Sequence, residues 1–162
     1  MKKKIYMWTT LIVCGAAVLF FYFRGAGNFK VYDEFGVARS AFPYVNWNAS
    51  LDIFSAEVSE ILDYRTLRTK DGAIIMLYAV ARALDAPAAR EFMKNKLIGK
   101  SVVISVCGDP ENYSGIVRAV VFYDQGERCL NKDLYDGGFV DIKIKNKYLF
   151  AEEWFKNDAE AD

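Results

Sequence analysis

Residues 62–80, LDYRTLRTKDGAIIMLYAV, decide the fold. Leu62, Tyr64, Thr66 and Arg68 fall at period two, the spacing of one face of a strand. Lys70-Asp71-Gly72 follows, and Asp-Gly supplies the positive φ values that a tight hairpin turn needs. The run 73–80, AIIMLYAV, then reads as a buried strand. Upstream, Phe54, Ala56 and Val58 alternate with polar residues, so the strand pattern begins near Leu51.

Downstream the period changes. Ala86-Pro87-Ala88-Ala89 opens a helix, with proline tolerated in the first turn. It runs through Phe92-Met93 to Leu97, and Gly99 stands where a C-terminal cap belongs. Residues 101–106, SVVISV, and 116–123, IVRAVVFY, are strands separated by a loop over 108–112. Asp109 and Glu111 in that loop read as an exposed turn rather than a calcium loop. Gln125-Gly126 marks a turn before a short strand over 128–130. Asn131 is placed to cap a brief helix through Tyr135, ended by Gly137-Gly138. A last amphipathic helix is expected over 147–157, with Leu149, Phe150, Trp154 and Phe155 apolar. Trp154 and Phe155 read as core residues.

Residues 5–23, IYMWTTLIVCGAAVLFFYF, carry no charge and are entered by Lys2-Lys3-Lys4. As a helix the run would be roughly 28 Å long, close to the hydrocarbon thickness of a bilayer. The chain is therefore expected to begin with one transmembrane helix, residues 1–24, that tethers the rest to a membrane. Lysines before the span favour translocation of the domain. A cleaved secretory signal is the alternative, with Gly25-Ala26-Gly27 as its cleavage site and a secreted product. Residues 25–50 read as a juxtamembrane connector rich in aromatics, among them Phe29, Tyr32, Phe35, Phe42, Tyr44 and Trp47. Two placements suit it: along the membrane surface, or packed onto the domain as an extra layer. Residues 51–157 make one domain, and 158–162 an acidic tail.

Composition removes several chemistries. There is no histidine, which excludes imidazole bases, histidine zinc sites and serine–histidine triads. Lysine plus arginine number 21 and aspartate plus glutamate 21, so the chain lacks the basic excess of a free-standing nucleic-acid binder. Nucleic acid is therefore not expected as a partner, although Arg65, Arg68 and Lys70 fall close enough to form a local basic patch. That trio reads first as a solvated strand face, with an acidic lipid or nucleic-acid patch as the sharper option. Cys107 and Cys129 read as buried free thiols, a disulfide between them being the alternative.

Three strands, a helix, two strands and two further helices is the order of the OB-fold barrel of staphylococcal nuclease-like domains. Leu62-Asp63-Tyr64-Arg65-Thr66 resembles that family's hydrophobic-Asp-Gly-Asp-Thr opening, and Met76-Leu77-Tyr78-Ala79-Val80 its Arg-Leu-x-Gly-Ile strand. Ala89-Arg90-Glu91-Phe92-Met93 and Leu97-Ile98-Gly99-Lys100-Ser101-Val102 resemble the helix and Gly-Lys-x-Val strand that follow. Tyr113-Ser114-Gly115 resembles the Tyr-Gly-Arg loop, and Asn131, Leu134 and Gly138-Phe139-Val140 the Asn-x-x-Leu-Val-x-x-Gly-x-Ala segment. Tyr148-Leu149 with Ala151-Glu152 resembles the closing Leu-x-x-Ala-Glu helix. The fold class this implies is a β-barrel with helices, of OB-fold, SNase-like α+β type, preceded by one transmembrane helix.

The departures from that family bear on function. By register its first metal carboxylate falls on Arg65, its second on Ala81, its first arginine on Met76, its glutamate near Leu84 and its second arginine near Ile116. Asp63 and Thr66 alone remain of the motif. A shift of one or two residues would offer Arg82 or Asp85 as partial substitutes. The resemblance thus implies no catalytic residues, no metal ligands and no cofactor. It implies a degenerate, membrane-anchored domain acting as a protein-interaction or membrane-organising module, with the bilayer and a protein partner or a second copy as its contacts. It is similar in layout to eukaryotic single-pass inner mitochondrial membrane proteins with such a domain. The alternative function is a membrane-bound or secreted metal-dependent nuclease.

Overall fold

A computed structural model describes residues 30–108, 115–145 and 147–156. The expected membrane span, residues 109–114 with most of the expected loop, and the acidic tail lie outside the described residues. Among the described residues no helix is long and apolar enough to cross a membrane.

Among the described residues, eight strands and three α-helices follow in chain order. They are β1 (Ile53–Ile61), β2 (Thr66–Thr69), β3 (Ile74–Leu77), β4 (Val80–Ala83), α1 (Ala86–Leu97), β5 (Ser101–Val106), β6 (Ile116–Tyr123), β7 (Arg128–Cys129), α2 (Leu130–Asp136), β8 (Val140–Ile142) and α3 (Ala151–Trp154). β1 pairs antiparallel with β2 through its second half and with β5 through its first. The change of partner comes at Val58, where the register between Val58 and Glu60 is broken by a bulge. A bulge bends a strand and sharpens its twist, which lets one strand serve two sides of a small barrel. β2 pairs with β3, β5 with β6, and β3 lies parallel to β6 with Met76 opposite Arg118. The ring β1-β2-β3-β6-β5 is thereby closed, an OB-like barrel of five strands with helices. Closure leaves these five strands no long unpaired edge.

The two apolar runs SVVISV and IVRAVVFY are continuous because both of their faces are covered. Val102, Ile104 and Val106 of β5 and Ala119, Val121 and Tyr123 of β6 point into the barrel, beside Ile61, Leu67, Ile75 and Leu77. The alternate residues Val103, Val120 and Phe122 point outward into a second cluster with Val37, Phe42, Val45, Leu149 and Trp154. Each full burial of such a side chain contributes about 1.5–3 kcal/mol.

Helix α1 closes one end of the barrel with a single stripe, Ala89, Met93 and Leu97, at i, i+4 and i+8. Asp85 caps it by accepting from the Ala88 N–H at 3.0 Å, and Pro87 sits in the first turn.

Residues 31–50 pack as an outer layer on the barrel. Phe42 and Trp47 lie 4.9 and 5.1 Å from the Phe122 ring, and Tyr44 lies 4.9 Å from Trp154. The layer starts with a tight loop in which the Asp33 carboxylate accepts from the N–H groups of Phe35 and Val37 and from Arg39 Nε. Burial alone would raise that carboxyl group's pKa. The bonds from Val37, Arg39 and Phe35, with the Arg39 charge, hold it below the usual carboxylate value. Gly36 then meets Gly126 so closely that a β-carbon on Gly126 would stand 2.3 Å from the Gly36 carbonyl oxygen.

Three elements differ from the sequence expectation. Residues 62–65 form a turn, so the period-two pattern from Leu62 belongs to a strand only from Thr66. The expected strand over 73–80 breaks at Tyr78-Ala79, where Ala79 takes φ 66° and the chain departs as β4 to pair with β8. The last helix covers only Ala151–Trp154 among the described residues. Tyr148 lies in a turn and Phe150 is extended, and the outer layer holds both, through Asn46 N–H to Tyr148 O and Phe150 N–H to Tyr44 O. Cys107 and Cys129 are buried free thiols, and burial pushes both up to about 12.

Candidate functional site

The corner between β3 and β4 organises the site. Ala79 occupies the left-handed region that side chains with a β-carbon avoid, a strain on the order of 1 kcal/mol or more. Such a residue persists only where its surroundings over-determine it. Here the Tyr78 N–H donates to Ala119 O at 2.8 Å, and the Lys143 N–H donates to Ala79 O at 2.8 Å. The Asn131 amide donates to Tyr78 O at 2.9 Å while its oxygen accepts from the Val121 N–H at 3.1 Å. Asn131 is fully buried. It does not cap α2 as the sequence suggested. Cys129 holds the cap position without a side-chain bond, and Asn131 turns inward to tie the corner to β6.

Beneath this corner lies a hollow of about 210 Å³, walled by Arg65, Met76, Tyr78, Ala79, Ala81, Arg118, Lys143 and Lys145. The parallel seam of the barrel brings Met76 beside Arg118. The Ala79–Lys143 backbone bond brings the stretch after β8, and with it both lysines, to the rim. Arg65 Nη1 lies 3.4 and 3.5 Å from the carbonyl oxygens of Val80 and Ala81, and its guanidinium sits 5.5 Å from the Tyr64 ring centre. Burial and the neighbouring Cys107 and Tyr148 push the Tyr78 hydroxyl upward, so it stays neutral at physiological pH.

The charge of this hollow is one-sided. Arg65, Arg118, Lys143 and Lys145 line it, and no carboxylate does among the described residues. Elsewhere in the domain cations find acids: Arg68 with Glu60 at 2.9 Å, Arg82 with Asp141 at 3.1 Å, Arg128 with Asp133 at 2.8 Å. Arg65, Lys143 and Lys145 make no ion pair with any described residue. Hard divalent cations need oxygen ligands and are repelled by such a wall. The residues present therefore do not fit a calcium ion, and no three metal-binding side chains gather elsewhere among the described residues.

The residues singled out in the sequence separate in space. Asp63 accepts from the Arg65 N–H at 2.8 Å, and Thr66 O accepts from Leu62 and Asp63, so this pair closes the β1–β2 turn. Asp63 lines a different, larger groove of about 700 Å³ with Leu62, Tyr64, Pro87 and Arg90. Arg68 and Lys70 pair with Glu60 and Glu57 across the exposed β1–β2 face, while Arg65 turns to the hollow. Of the positions carried over by resemblance, Arg65, Met76 and Ala81 meet in the hollow, whereas Leu84 and Ile116 do not line it. Arg82 pairs with Asp141, and Asp85 is spent as the α1 cap.

Arg118, Lys143 and Lys145 escaped the sequence reading. The signals were present: a lone charge inside a buried strand, and lysines at period two in Lys143-Ile144-Lys145. No protein-family model matches this chain, and no curated protein matches it in sequence.

Proposed function

We propose that this chain is a membrane-tethered, catalytically silent relative of the staphylococcal nuclease-like domains, acting by binding a partner instead of cutting phosphodiesters. The observation that carries the reading is the hollow itself. Arg65 and Ala81, the positions onto which the metal carboxylates of that family fall, stand on its walls, and the remaining charged lining is Arg118, Lys143 and Lys145. A transferring phosphoryl group needs a metal or an arginine clamp in fixed geometry, each worth on the order of 10³-fold in rate. Losing the metal ligands and the first arginine together leaves binding without chemistry. The inner mitochondrial membrane is the location that the resemblance brings with it, and self-association or a second membrane protein is the contact proposed.

The full chain, assayed with calcium on denatured DNA, is expected to give no cleavage above buffer. Cleavage that Asp63→Ala abolishes would overturn the reading in favour of a nuclease. Crosslinking in intact membranes is expected to trap a homodimer or a defined heterologous complex, and a wholly monomeric product counts against an interaction module.

A further inference from the structure

We propose that the hollow beneath the β3–β4 corner is a metal-free receptor for a phosphomonoester dianion. This rests on the reading that the domain binds and does not cut. Three observations carry it. Four cations converge on one concavity, and neither Arg65 nor the two lysines makes an ion pair with a described residue. The concavity is built before any ligand arrives. The strained Ala79 corner is pinned to β6 through Tyr78, Ala119 and Asn131, and to the lysine segment through Lys143. Its size also selects. At about 210 Å³ it is smaller than the roughly 300–1,000 Å³ of sites that enclose a whole nucleotide-sized ligand, so one anionic group enters and its carrier stays outside.

The charge and the donor count distinguish among anions. A phosphomonoester carries about −1.5 to −2 charges and three strong acceptor oxygens at pH 7. A carboxylate or a phosphodiester carries a single charge and two free oxygens. Arg65 has five N–H donors in a planar fork, and only Nη1 lies near protein carbonyls. A guanidinium fork and two mobile ammonium groups suit a tetrahedral dianion best. Inorganic phosphate, a phosphorylated protein side chain and the headgroup of phosphatidic acid share this chemistry.

The test uses the full chain in neutral phosphatidylcholine nanodiscs, titrated calorimetrically in the presence of EDTA. Inorganic phosphate is expected to bind without metal, and dimethyl phosphate at least about tenfold more weakly. Lys143 and Lys145 are exposed, so Lys143→Gln with Lys145→Gln leaves the fold intact by circular dichroism. The double variant is expected to lower phosphate affinity about tenfold or more, while Lys94→Gln on α1 leaves it unchanged. Discs containing phosphatidic acid identify the source: if they abolish free-phosphate binding in the parent chain, the headgroup fills the hollow; if not, a soluble or protein-borne phosphate does. Either result sustains the proposal. Absence of phosphate binding, equal affinity for dimethyl phosphate, or undiminished binding by the double variant overturns it. Calcium-dependent DNA cleavage would sink the underlying reading instead, whereas a chain that neither cleaves DNA nor binds phosphate refutes this inference alone.

Discussion

Replacing Asn131 by leucine removes a side chain that is fully buried and hydrogen-bonded on both ends of its amide. Leucine keeps the branched shape and the number of heavy atoms, and its bulkier methyl groups can only add crowding to the polar cost. Leucine leaves the Val121 N–H and the Tyr78 carbonyl without their partners. A buried backbone group that loses its bond costs about 1–3 kcal/mol, so two give about 2–6 kcal/mol. The third contact, Asn131 Nδ2 to Ala119 O, is 3.4 Å long and adds little. For a domain of this size each kcal/mol lowers Tm by about 4 °C, so the fall is on the order of 10 °C or more. Thermal denaturation of the full chain followed by circular dichroism measures it. Hydrogen exchange at the Val121 amide should accelerate beyond that of its neighbours in β6. A Tm change under about 3 °C, with Val121 still protected, would refute the claim that this side chain holds the β3–β4 corner.

Three further perturbations test other parts of the fold. Gly126→Ala brings a β-carbon against the Gly36 carbonyl at a positive φ, whereas Gly72→Ala at φ 93° meets open space, so Gly126→Ala should cost more by about 1 kcal/mol or above in denaturant melts. Asp33 has a depressed pKa, so it stabilises the fold above its unfolded value near 3.8 and that contribution fades as pH falls through the lower folded value. The stability difference between the parent chain and Asp33→Asn should therefore be constant from pH 6 to 8 and shrink below about pH 4; a difference that grows in acid contradicts the assignment. In a Cys14→Ala background, Cys107 and Cys129 should resist iodoacetamide at pH 8 until the chain is unfolded, because thiols pushed up to about 12 supply almost no thiolate. Rapid alkylation of the native protein, read by mass spectrometry, would place one of them at the surface.

The barrel was readable because its strands are self-contained statements. Asp71-Gly72 fixes one hairpin, Gln125-Gly126 the turn before β7, and the two apolar runs can only be strands covered on both faces. What hid was long-range. Nothing local in residues 147–150 shows that they stay out of the helix to bond with Tyr44 and Asn46, which lie about a hundred residues earlier. The break at Ala79 is likewise invisible, since alanine carries no turn signal and its conformation is imposed by Ala119, Asn131 and Lys143. The hollow was half legible. Arg65 stands near Arg68 and Lys70 in the sequence, but it lies in the turn before β2 and faces the hollow, while the other two pair with acids on the β1–β2 face. Its true companions come from β6 and from the segment after β8, which only closure of the sheet brings together.

The outer layer formed by residues 31–50 also sets where this protein can be cut. A soluble fragment started at Leu51, where the strand pattern opens, would strip Val37, Phe42 and Val45 from Val120 and Phe122 and leave a greasy wall facing water. Fragments intended for crystallisation or titration should retain everything from Val31, and a protease that nicks between Tyr32 and Trp47 should disable folding more thoroughly than its distance from the hollow suggests.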